Sequence, residues 1–120
     1  MDEDRLQAFG EAWNARDADL VVSYMTDDCI FHASLGPELL GRTSRGAAEV
    51  RRSVQAFFDR FPDGRFEDSS VFVAGDRGAS EWTFVWTDTA GETQRIRGCD
   101  LFEFEGDLIR VKNAFRKGRD

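Results

Sequence analysis

A chain of 120 residues is the length of one domain, 1–120, and is long enough to bury a core without disulfide staples. Apolar residues at 41% and charged residues at 32% give a globular balance, and no apolar run approaches the ~20 residues that span a bilayer. Sixteen basic against 23 acidic residues leave a net charge of −7, which argues against nucleic acid and anionic membrane surfaces as partners.

In chain order, residues 3–16 read as a helix with Leu6, Phe9 and Trp13 on one face. Asp17 is placed to cap a second short helix over 18–25, with Leu20, Val21, Tyr24 and Met25 as its buried side. Residues 29–33, Cys-Ile-Phe-His-Ala, follow a turn signal and read as a strand. A loop over 34–41 contains Gly36-Pro37. Thr43 or Ser44 is expected to cap a third helix over 45–60, which turns Val50, Val54, Phe57, Phe58 and Phe61 to one side and stops at Pro62-Asp63-Gly64. Four strands are expected after it, at 65–74, 78–87, 92–105 and 108–117. Short Gly/Asp separators between long strands indicate a hairpin meander.

Three helices followed by a long antiparallel sheet is an α+β layout. Trp82, Phe84 and Trp86 alternate with Glu81, Thr83 and Val85, so the aromatic side is expected to face the helices. A curved sheet wrapped over three helices makes a cone, an α+β roll whose concave face holds a ligand-sized pocket.

Asp100 is the conspicuous polar residue. Alternation puts it on one face with Ile96, Gly98, Phe102 and Phe104. A carboxyl in such a lining loses hydration, which favours its protonated form and makes it a usable proton donor or acceptor near neutral pH. The other reading is an aspartate paired for structural reasons. His32 is the only imidazole; it shares a face with Ile30, opposite to Phe31 and Ala33. One histidine and two cysteines, Cys29 and Cys99, are too few for a recognisable zinc site, and no metal or cofactor is expected. Two free thiols in a cytoplasmic chain is the simpler reading of the cysteines, and Met1-Asp2-Glu3-Asp4 has neither the basic start nor the apolar stretch of a secretory leader.

The element order and several segments resemble the nuclear-transport-factor-2-like superfamily, in its SnoaL-like and ketosteroid-isomerase-like branch. The segments are 13–17 (Trp-Asn-Ala-Arg-Asp), 24–29 (Tyr-Met-Thr-Asp-Asp-Cys), Gly41-Arg42, and 98–104 (Gly-Cys-Asp-Leu-Phe-Glu-Phe) with Gly106, Ile109 and Lys112 behind it. The resemblance places the isomerase base position at Ala33, the oxyanion tyrosine position at Phe9, and the second oxyanion donor at Asp100. One of the three survives. The Asp/Arg/Asp set of limonene-epoxide-hydrolase-like enzymes falls on Trp82, Phe84 and Ala114, which cannot perform that chemistry. The single acid/base aspartate of SnoaL-like cyclases matches Asp100.

By the register this resemblance implies, Lys112, Ala114 and Arg116 point into the cone, so Lys112 can pair with Asp100, while Arg110, Lys117 and Arg119 form a solvated strand end. The same register turns Phe31 and Ala33 inward and His32 away from the cavity, to the surface or an interface. Asp100 and Lys112 are therefore the candidate catalytic residues. Phe9, Trp13, Phe31, Ala33, Trp82, Phe84, Trp86, Phe102 and Arg116 are the candidate substrate-binding residues, with the Tyr24 hydroxyl also within possible reach. Glu81, Thr83, Arg95, Arg97 and Glu103 take the outer sheet surface with Val85, Cys99 and Leu101, a mixture suited to an isologous homodimer. The implied function is cofactor-free proton transfer on a small apolar carbonyl compound. The alternatives are ligand binding without turnover, or a dimeric interaction module with a filled cone.

Overall fold

The computed structural model describes residues 1–118, so Arg119 and the last residue of the expected 1–120 domain lie outside the described residues. Its elements are α1 (Glu3–Asn14), α2 (Ala18–Ser23), β1 (Met25–His32), β2 (Thr43–Arg45), α3 (Ala47–Arg60), β3 (Arg65–Ala74), β4 (Arg77–Thr87), β5 (Thr93–Glu105) and β6 (Leu108–Arg116). The strands form one curved, unclosed sheet in the order β2-β1-β6-β5-β4-β3, with the three helices packed against it. This is the α+β architecture that the sequence implies.

Local chemistry explains most boundaries. Asp2 caps α1, its side chain accepting from the Arg5 amide at 2.8 Å, and Glu3 and Asp4 place negative charge at the helix's positive end. Leu6, Phe9, Ala12 and Trp13 are its buried residues. Asp17 caps α2 as expected, accepting from the Leu20 amide at 3.1 Å. Between these helices Arg16 takes a left-handed φ of 58° and donates to the Phe58 carbonyl at 2.5 Å and the Gly64 carbonyl at 3.1 Å, so one residue turns the chain and satisfies carbonyls around the end of α3.

Several features differ from expectation. Helix α2 stops at Ser23, and the strand expected over 29–33 begins at Met25, because Met25 pairs with Ile109 of β6. Thr43 and Ser44 do not cap α3. They belong to β2, and Gly46 stands at the N-cap without a side-chain bond. The β1–β6 pairing is parallel, so the sheet is mixed where a wholly antiparallel one was expected. His32 is not at the surface of the chain. It is 9% exposed, and its Nδ1 lies 2.7 Å from the Oγ1 of Thr43, the residue opposite it in the added strand β2.

The long hairpins follow the expected alternation. In β5, Ile96, Gly98, Asp100, Phe102 and Phe104 are buried on one face. The tightest spot is Gly98, where a Cβ would lie 2.3 Å from the Trp82 indole and 2.5 Å from the Phe115 carbonyl oxygen. Trp82, Phe84 and Ile96 form a cluster of their own with Phe57, Phe61, Phe66 and Trp86 against it. These rings fill the space between the end of α3 and the sheet: Phe61 lies 5.3 Å from Phe84 and 5.5 Å from Trp86, centroid to centroid.

Candidate functional site

The sheet register assembles the polar centre. Ser80 of β4 stands opposite Asp100 of β5, and Asp100 opposite Ala114 of β6. Phe102 stands opposite Lys112. Lys112 therefore lies diagonally from Asp100 on the same face, within reach of a long side chain. Its Nζ donates to Asp100 Oδ1 at 2.9 Å, and the two side chains are 8% and 6% exposed. The other oxygen, Oδ2, accepts from Ser80 Oγ and from Trp82 Nε1, both at 2.9 Å.

Three donors on two oxygens is the arrangement of an ionised carboxylate, and it leaves one lone-pair site on Oδ1. Lys112 is held in turn by aromatic faces. Its Nζ lies 4.7 Å from the Trp13 ring centroid and 4.8 Å from that of Phe31, where the ring quadrupole attracts a cation. Pairing removes neither group's hydration cost entirely, and a buried ion pair is seldom more stable than an apolar pair of the same volume. Such a pair in an aromatic wall is therefore a candidate site rather than a device for stability.

A hollow of about 30 Å3 adjoins the pair. Of the candidate residues, Phe9, Trp13, Trp82, Asp100, Phe102 and Lys112 line it. Phe31 touches the pair through Lys112 without lining the hollow. Ala33, Phe84, Trp86 and Arg116 lie away from it. Ala33 starts the loop after β1 with its amide bonded to the Arg42 carbonyl. Phe84 and Trp86 belong to the ring cluster beside α3. Arg116 is exposed and lines a separate groove with Arg97, Cys99 and Phe115. The pocket expected to fill the cone is thus reduced to a small chamber, because Phe57, Phe61, Phe84 and Trp86 occupy the rest. Tyr24 packs on Phe9 and under the Arg5 guanidinium, and does not line the hollow.

Sequence reasoning passed over Ser80, Gln7, Gly10 and Ser69, which also line the hollow. The signal for Ser80 was present: alternation that turns Trp82 inward also turns Ser80 inward. Trp13 Nε1 is buried with no hydrogen-bond partner. Among the described residues no group of three His, Cys, Asp or Glu side chains is placed to hold a metal. His32 stands outside this centre. Burial holds its imidazole below the ordinary value, assisted by the charge of Arg45 and opposed by Glu103.

The fold has known counterparts. A proposed polyketide cyclase from Xanthomonas campestris pv. campestris superimposes with a TM-score of 0.79 at 22% identity, over 95% of this chain and 88% of that one. A cystatin-fold protein from Novosphingobium aromaticivorans gives 0.76 at 25% identity, over 94% and 96%. TerC, co-crystallised with polyporic acid, gives 0.78 at 18% identity, over 95% and 89%. No curated protein matches the chain. The SnoaL-like domain family matches residues 6–111, nearly the whole of the sheet-and-helix unit, and the chain belongs to that family.

Proposed function

We propose that this SnoaL-like domain is a small-molecule pocket protein that performs cofactor-free proton transfer on a small, mostly apolar carbonyl compound, as an isomerase, cyclase or dehydratase does. The observation that carries the reading is the buried Asp100–Lys112 pair at the wall of an aromatic hollow. In this scheme the free lone pair of Asp100 Oδ1 takes a proton from carbon alpha to the carbonyl. Lys112 orients the substrate by donating to the carbonyl oxygen as negative charge develops there, and the proton held by Asp100 is returned to the product. Ser80 and Trp82 keep the carboxylate aimed.

A second reading, ligand binding without turnover, draws support from a different fact. Asp100 accepts from three donors, Ser80, Trp82 and Lys112, which fix it in place as a polar anchor for a ligand. A thermal-shift screen of wild type and Asp100→Asn against steroids, polyketide intermediates and short enones separates the two. Turnover that vanishes in Asp100→Asn while binding persists supports catalysis. Binding without turnover in either protein supports the second reading. No stabilisation by any carbonyl compound would remove both.

The outer sheet face supports a homodimer as partner. It exposes Phe72, Leu101 and Phe115 at 60%, 40% and 46%, among charged pairs such as Arg97–Glu81. A cytoplasmic setting fits two unlinked thiols. No helix among the described residues is long and apolar enough to cross a membrane.

A further inference from the structure

Helix α1 is tied to its surroundings at its two ends. At the N-terminal end, Met1 donates to the Gly106 carbonyl at 2.8 Å and Arg5 to the Asp107 carbonyl at 2.6 Å. At the C-terminal end, the Asn14 amide grips the Phe66 backbone in both directions, at 2.9 and 2.8 Å. Midway between these ties stands Gly10, a glycine inside a helix, where any other small residue would stabilise the helix more. It lines the hollow, and a Cβ added there would meet no atom within 4 Å.

The opposite wall is also irregular. The β3–β4 register slips between Glu67 and Ser70, and Asp68 holds a left-handed φ of 54°, a conformation that costs a non-glycine residue energy. Ser69, inside this bulge, lines the hollow and is exposed. Asp100, Lys112, Trp82 and Phe102 on the floor are buried. The rings of Phe61, Phe84 and Trp86 close the cone at the end of α3.

The geometry points to a side portal between α1 and β3, with Gly10 and the Asp68–Ser69 bulge as its jambs, through which small carbonyl compounds reach the Asp100–Lys112 pair. This rests on reading that hollow as the ligand site. Phe9 anchors the core side of α1, but Gly10 presents no side chain toward the bulge, so the gap there widens without breaking a side-chain contact of its own. The hollow at rest has room for a water or two, so larger molecules pass only as this gap widens.

Acrylamide is a probe of the right class, a small unsaturated carbonyl compound that quenches tryptophan fluorescence on contact. In a Trp86→Phe background the emission comes from Trp13 and Trp82, both in the wall of the hollow. Gly10→Leu and Ser69→Leu should each lower the quenching slope by about twofold or more, because quenching of a buried ring follows local opening. Gly10→Ala should lower it less, and Glu11→Leu on the exposed side of α1 should not change it. A lower slope in either folded leucine variant supports the portal. Slopes equal to the parent in both overturn it. Should both fail to fold, Gly10→Ala, which adds one methyl to open space, decides in the same way. The slopes do not depend on turnover: a carbonyl screen with no hits would sink the proposed function and leave them standing.

Discussion

Removing the ammonium of Lys112 without changing the shape of its stem tests the physics of the site most directly. Lys112→Met leaves the buried Asp100 carboxylate with Ser80 and Trp82 as its remaining partners. Breaking a buried pair from one side costs about 3–5 kcal/mol, against about 0–1 for an exposed pair. For a domain of this size that is a fall in Tm of roughly 10–25 °C. Asp100→Asn should cost less, since the Asn oxygen still accepts from Trp82 and the Trp13 and Phe31 faces still hold the cation. The double variant, Asp100→Asn with Lys112→Met, buries no charge at either position. It should be more stable than the sum of the single effects by about 2 kcal/mol or more. Urea unfolding of the four proteins at pH 7 measures this cycle. A Lys112→Met cost below about 1 kcal/mol, or strict additivity, would show that the pair is wet and loosely held, and the hollow could not then be the low-dielectric site that proton transfer needs.

Other consequences are open to simpler measurements. Gly98→Ala drives a methyl into the Trp82 indole and the Phe115 carbonyl, and should cost about 1–3 kcal/mol in chemical unfolding. It should also shift Trp82 emission, because the ring cannot yield without stretching its bond to Asp100. Burial of His32 makes the folded state resist its protonation, so below the unfolded value near 6.5 the unfolded chain binds the extra proton. Stability should therefore be complete above that pH and decline as pH falls from about 6.5 through the lower folded value. His32→Asn should remove that part of the slope, and an unchanged profile would refute the assignment. Burial raises both thiols above the ordinary value. Cys29 is fully buried and Cys99 partly exposed. An aromatic disulfide reagent should then label Cys99 slowly and leave Cys29 intact in the native protein; protection of Cys99 as well would indicate that the outer face is covered.

The sequence by itself carried the architecture. Leu6, Phe9 and Trp13 recur at helical spacing, and the β5 residues alternate at a period of two. Those periods decide which side chains each element buries before any element meets another. Local chemistry marked the Asp17 cap and the Gly/Asp hairpins for the same reason, since caps and turns are made by residues near in sequence. Asp100 was legible as an acid among apolar neighbours on its own strand.

Tertiary structure alone decided what surrounds it. Ser80 and Lys112 reach Asp100 through the pairing of three strands: alternation turns Ser80 inward and the family resemblance names Lys112, but the contacts themselves come from the register between strands. The parallel β1–β6 contact and strand β2 were hidden because pairing partners distant in the chain set them. Phe84 and Trp86 read as pocket walls from alternation, yet they serve as packing. A period of two tells which face a ring takes, and only the approach of α3, bringing Phe57 and Phe61, determines whether the space before that face is filled or hollow. The same holds for Gly10, which looks like a weak point in an isolated helix and gains a role only from the bulged strand opposite.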